Sequence, residues 1–165
     1  MKIVADSSPL ITLAKIAQLD ILPQLYRPIL ITPEVYCEVA VTGAGLAGAA
    51  EIATVEWIEV HSLRDPARLA GAQRELGLGI GEVSAILLAI ELGADAVLMD
   101  DRDGRRAAWK MGVNTIGCVG VLEEAFRLKL IPDLRATYRQ LFISGAFVSR
   151  GILEQSLKSF NLPSL

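Results

Sequence analysis

The stretch that most constrains this chain is Val97-Leu98-Met99-Asp100-Asp101-Arg102-Asp103, a short apolar run that ends in three carboxylates within four residues. Packing alone does not explain such an ending. In a parallel α/β sheet, ligand-binding groups gather outside the carboxyl ends of the strands, so acids placed there face a site. Side chains alternate along a strand, so in extended chain Asp100 and Asp101 point to opposite faces, and only a turn brings Asp101 and Asp103 together. The division of labour within the cluster stays open at this point. So does a purely structural reading, in which the acids cap the following helix in the favourable field of its dipole.

The order of strand, acid, helix recurs at the N-terminus. Lys2 to Ala5 reads as a short buried strand ended by Asp6, and Ser7-Ser8-Pro9 offers a cap and a first-turn proline before Leu10, Ile11, Leu13, Ala14 and Ile16 at helical spacing. Asp6 is then either an Asx turn or a site acid. A short helix interrupted by Pro23 is expected over Leu19 to Tyr26, then a strand over Ile29 to Thr32, and Pro33 opens a helix running to Ala40. Glu34 and Glu38 lie one turn apart on it and repel unless something positive intervenes. Glu34 suits the helix dipole, whereas Glu38 sits at the margin of the buried stripe, either solvated or serving a site.

Thr42 to Gly48 reads as a glycine-rich loop, Ala49 to Thr54 as a small helix, Trp57 to Val60 as a strand with Trp57 in the core or an interface, and Pro66 to Arg74 as a polar helix. Leu76-Gly77-Leu78-Gly79-Ile80-Gly81-Glu82 looks like a phosphate-cradling loop, but it has neither the Lys-Ser/Thr of a P-loop nor dinucleotide-binding spacing. The helix expected over Glu82 to Leu92 is apolar almost all round and belongs inside the domain. Glu82 opens it on the face of Ala85, Ile86 and Ala89, either for the dipole or as an acid at the rim of a site. Ala96 to Met99 is the expected central strand. Arg102 to Lys110 follows as a basic helix, with Arg105, Arg106 and Lys110 beside the acids and Trp109 packing inward. A strand over Val113 to Ile116 and helices over Gly120 to Leu130, Pro132 to Phe142 and Gly151 to Phe160 complete a single α/β domain spanning residues 1–165. The C-terminal helices, about 132–160, are expected to close the domain or form an interface.

At 165 residues and 52% hydrophobic, the chain is long enough for one such core. Charged residues break every apolar run well short of the ~20 residues of a spanning helix, so no membrane segment is expected. The N-terminal residues show no secretory pattern, and a cytoplasmic protein is expected. Cys37 and Cys118 read as small buried hydrophobes. A lone His61 argues against a His-rich metal site or an ordinary Ser/His/Asp triad, and a net charge of −3 argues against nonspecific coating of nucleic acid.

What remains is carboxylate chemistry. Two carboxylates 4 Å apart repel by about 4 kcal/mol at an effective dielectric near 20, so a cluster of Asp6, Glu38, Glu82 and the Asp100 to Asp103 acids calls for protons or a cation. Oxygen-only ligands select Mg²⁺ or Mn²⁺ over zinc. An ion so held activates water and neutralises charge on a phosphoryl group.

Val4 to Ile11, Ile31 to Val39, Gly81 to Ile86, Leu98 to Arg102 with Arg105-Arg106-Ala107-Ala108, and Val119 to Leu122 together resemble PIN-domain proteins, more narrowly the prokaryotic subgroup related to VapC toxins. The resemblance implies a Rossmann-like parallel sheet flanked by helices in three α/β/α layers. It also implies a Mg²⁺- or Mn²⁺-dependent endoribonuclease, a homodimer and a cognate antitoxin. By position it implies Asp6, Glu38, Glu82, Asp101 and Asp103 as catalytic acids, with Asp6, Glu82, Asp100 and Asp101 toward the metal and Glu38 orienting water. Arg102, Arg105, Arg106 and Lys110 are expected to contact RNA phosphates, the other reading of that helix being a solvated surface. Single-stranded RNA is the expected substrate, because a splayed backbone enters a narrow acidic pocket that a duplex does not. Two departures stand out: Glu82 replaces the Asp of many members, and Asp100-Asp101 is a doublet.

Two other classes compete. One is a non-catalytic PIN-like module that binds RNA or a partner protein. The other is a phosphotransfer domain, which fits poorly: Ser8 stands where the second catalytic Asp of haloacid dehalogenases would be, and a receiver domain needs paired acids after its first strand.

Overall fold

Alternation of side chains along three short central strands divides the interior into two apolar layers. The computed structural model describes residues 1–46, 48–146 and 148–165; position 47 of the expected Thr42 to Gly48 loop lies outside them. The strands are β1 (Ile3–Ala5), β2 (Ile29–Ile31), β3 (Ile58–Val60), β4 (Ala96–Leu98) and β5 (Thr115–Ile116), all parallel, in the order β3-β2-β1-β4-β5. The chain steps outward from β1 to β2 and β3, then crosses back to lay β4 and β5 on the other side of β1. Strand order therefore reverses between β1 and β4, which is where open α/β sheets hold their ligands.

Among the described residues ten α-helices pack on this sheet: α1 (Ser7–Lys15), α2 (Leu22–Leu25), α3 (Pro33–Tyr36), α4 (Ala49–Ile52), α5 (Ala67–Leu76), α6 (Ile80–Leu92), α7 (Arg102–Lys110), α8 (Cys118–Arg127), α9 (Leu134–Ile143) and α10 (Arg150–Ser159). On one face Ile3, Ala5, Ile29, Ile31, Ala96 and Leu98 join Leu10 and Leu13 of α1, Val121 and Leu122 of α8, Tyr138 of α9 and Leu153 of α10. On the other, Val4, Leu30, Val97 and Met99 meet Leu69 of α5, Val83 and Ile86 of α6 and Ala107 of α7. The period of two along each strand thus produces three layers, α/β/α. Every residue of α6 from Val83 to Ala89 is buried, as a helix apolar on all sides requires.

Several local expectations change. Pro23 stands in the first turn of α2, where its missing N–H is harmless, and a 3₁₀ turn over Leu19–Ile21 precedes it. The helix opened by Pro33 is α-helical only to Tyr36 and continues as a π-helical segment, Cys37–Thr42, a form concentrated at functional sites. Cys37 is exposed and only Cys118 is buried. Trp109 does not pack inward, because the stripe that α7 presents to the core is Gly104, Ala107 and Ala108, and a Cβ on Gly104 would already lie 2.6 Å from Met99 Sδ. There is no depth there for an indole. No helix among the described residues is long and apolar enough to cross a membrane.

Candidate active site

Ala5 and Leu98 are register partners at the ends of β1 and β4, so Asp6 and the Asp100-Asp101 doublet leave the sheet at one edge, at the reversal of strand order. A cavity of about 320 Å³ opens there, and Asp6, Glu38, Glu82, Asp100 and Asp101 all line it.

Asp6 is 2% exposed. Its Oδ2 accepts from the Ser8 amide at 3.4 Å and the Ser8 hydroxyl at 2.9 Å, which caps α1, while Oδ1 is buried with no hydrogen-bond partner. Burial pushes its carboxyl above the usual range against the lowering effect of the Ser7 and Ser8 donors. Glu38, on the π-helical segment, accepts from Ser7 Oγ at 2.7 Å through Oε2 and from the Gly81 amide at 3.2 Å through Oε1. Glu82 accepts from the Gly79 amide at 2.8 Å. Its carboxyl is likewise pushed up, first by burial, with the Gly79 bond opposing and the charges of Asp6, Asp101 and Glu38 adding to the rise.

Asp101 caps α7, its Oδ1 accepting from the amides of Asp103 and Gly104 at 2.8 Å each. Asp100 reaches the other way. Its Oδ1 accepts from the Cys118 amide at 2.7 Å and so caps α8, whose own N-cap, Gly117, has no side chain; Oδ2 is buried and unpartnered. All five acids therefore engage an amide at the start of a helix, and four helix N-termini converge on one pocket. That convergence holds negative charge in a favourable field. It also means that capping and site-forming, set against each other in the sequence, are done by the same side chains.

Asp103 is not part of this arrangement. With α7 starting at Arg102, its side chain turns away to the surface and pairs with Arg106 at 3.1 Å. Arg102, Arg105, Arg106 and Lys110 are exposed on the same helix. Arg105 also lines an adjoining hollow of about 420 Å³ that shares Asp100 with the acidic cavity.

Among the described residues no three His, Cys, Asp or Glu side chains stand close enough to hold one metal ion together. Each acid is tethered to a helix N-terminus, Glu38 and Glu82 sharing that of α6, and a cavity of this size lets like charges stay apart. The donor set is nonetheless all oxygen, and the orphaned Asp6 Oδ1 and Asp100 Oδ2 are buried acceptors of the kind a hard divalent cation satisfies. The chemistry of these donors suits such an ion, though their spacing does not bring three of them onto one point.

Sequence reasoning missed the donors that hold the acids. Ser7 and Ser8 read only as a helix cap, yet their hydroxyls fix Glu38 and Asp6. The amides of Gly79 and Gly81, at the start of α6, face Glu82 and Glu38, not a phosphate. A buried bond of 2.7 Å between Thr32 and Ser84, with Ser84 Oγ also donating to the Gly81 carbonyl at 2.8 Å, locks α3 to α6 and brings Glu38 over Gly81. The two hydroxyls directly after Asp6 were the available signal.

No curated protein matches the chain. Residues 2–162 match the DUF3368 family, described as a PIN domain. With a parallel sheet in three layers and acids gathered at its switch point, and a match that runs almost from end to end, the chain belongs to the PIN-domain family.

Proposed function

We propose that this protein is a metal-dependent endoribonuclease of the PIN type that cleaves single-stranded RNA, and that it is the toxin of a toxin–antitoxin pair. PIN domains are commonly nucleases and generally use divalent metal ions. The observation that carries the reading is the acidic cavity itself, with Asp6 Oδ1 buried and unpartnered among Glu38, Glu82, Asp100 and Asp101.

Asp6, Glu82 and Asp101, with Asp100 beside them, would hold Mg²⁺ or Mn²⁺ directly or through water. Such an ion, when bound, offsets charge on the phosphate and makes water more acidic. Glu38, fixed by Ser7 and Gly81, orients the attacking water. Arg102, Arg105, Arg106 and Lys110 bind phosphates along the entrance. Buried Tyr138, Leu153 and Leu157 of α9 and α10 close the fold, and the exposed Phe142, Ile143 and Ile152 supply a surface for a second copy of the chain or an antitoxin.

Asp6→Asn keeps the cap and removes the charge, so it should abolish RNA cleavage in Mg²⁺ or Mn²⁺ while leaving the circular dichroism spectrum intact. Cleavage by this variant at the wild-type rate would rule out the site. One observation favours a second reading, a non-catalytic module: each acid already serves a helix end, and among the described residues no three stand close enough to hold one ion. Calorimetric titration with Mn²⁺ separates the two, since only the nuclease needs a saturable site at millimolar concentration or tighter.

A further inference from the structure

Trp109 is 76% exposed, whereas the chain's other tryptophan, Trp57, is 9% exposed. At about 100° per residue, Trp109 lies on the side of α7 opposite the buried Gly104, Ala107 and Ala108. Arg105 and Arg106 precede it by one turn, Arg102 by two, and Lys110 is adjacent, all exposed. In a chain of net charge −3 this strip is a local concentration of cations around one aromatic ring. Like charges there discourage docking on a second copy of the same face. An anionic strand with unpaired bases suits it: phosphates meet the guanidinium and ammonium groups, and a base covers the indole. A duplex, whose bases already stack on one another, offers the ring nothing.

The strip is rooted in the acidic cavity. Asp101 immediately precedes α7, and at ~1.5 Å per residue Trp109 stands about 12 Å further along the axis, a span that a short oligonucleotide bridges.

We propose that Trp109 stacks on a base of single-stranded RNA whose phosphates follow Arg102, Arg105, Arg106 and Lys110. This assignment rests on the ribonuclease reading and names the residue that grips a base outside the reacting centre.

The test is binding in EDTA, where metal-dependent cleavage is silent, of a short single-stranded oligoadenylate and of an abasic strand of the same length. Because Trp57 is buried, quenching of tryptophan emission by oligoadenylate reports on Trp109. Trp109→Ala should bind oligoadenylate about tenfold more weakly and the abasic strand as before, and Trp109→Tyr should retain most of the affinity. Paired Arg105→Gln and Arg106→Gln changes should weaken both strands and reduce the salt dependence. Oligoadenylate affinity in Trp109→Ala equal to wild type overturns the assignment, as does emission that responds to polyglutamate and not to oligoadenylate. Cleavage is scored separately on wild-type protein with Mn²⁺. RNA cutting with unaltered Trp109→Ala binding defeats the stacking and leaves the nuclease, while stacking without cutting defeats the nuclease and leaves the stacking.

Discussion

A methyl group on Gly81 would lie 2.6 Å from Glu38 Oε2 and 2.8 Å from its carboxylate carbon, so no side chain fits there while Glu38 keeps its place. The same residue donates its amide to that carboxylate. Gly81→Ala therefore pushes Glu38 off its anchor. Helix propensity works in the opposite direction, since Ala is better than Gly inside a helix by about 1 kcal/mol, comparable to the net value of the lost bond. The expected outcome is a melting temperature within a few degrees of wild type, with cleavage reduced at least about tenfold, or 1.4 kcal/mol in the barrier. A melt and a rate measurement on one preparation decide it, and an unchanged rate would remove Glu38 from the mechanism.

Among the elements, α8 depends on a residue from elsewhere in the chain. Its N-cap Gly117 has no side chain, and Asp100, eighteen residues before Cys118, supplies the acceptor for the Cys118 amide. Asp100→Ala should cost about 1 kcal/mol through the lost cap, and Asp100→Asn, whose amide oxygen can still accept, only a fraction of that. Denaturant unfolding of the two variants checks the order; equal losses would show that the cap is unimportant. This tether also marks how far the sequence could be read. The short apolar runs Ile3-Val4-Ala5 and Val97-Leu98-Met99 placed the central strands, and the acids behind them placed the edge of the site, because the length of a run and the residue that ends it are local properties. Whether Asp100 or Asp103 turns inward is decided by where α7 and α8 begin in space. The outward Trp109 and Cys37 were illegible for a similar reason, since burial depends on what the opposite surface can accept.

For the whole molecule, gathering acids at the switch point couples stability to protons. Asp6 and Glu82 are raised above their ordinary values of 3.8 and 4.5, chiefly by burial. Between those values and the raised ones the folded protein keeps protons that the unfolded chain has released. This contribution to stability is therefore full below the ordinary values and is lost as pH rises through the raised ones. In chelator, the melting temperature should climb as pH is lowered from neutral into the mildly acidic range, before general acid unfolding sets in, and Asp6→Asn should flatten the trend. Mn²⁺ at neutral pH should also raise it, by about 2–4 °C for each kcal/mol of binding to the folded state. Scanning calorimetry across pH would show this, and a melting temperature that climbs with pH in chelator would contradict it. The capping of four helices by these acids bears on descent. A lineage that abandoned RNA cutting would still be selected to keep an oxygen at each position, and would drift first toward Asn, Gln or Ser. The mark of a retired enzyme in this family would be amides standing where carboxylates had been, on an undamaged scaffold.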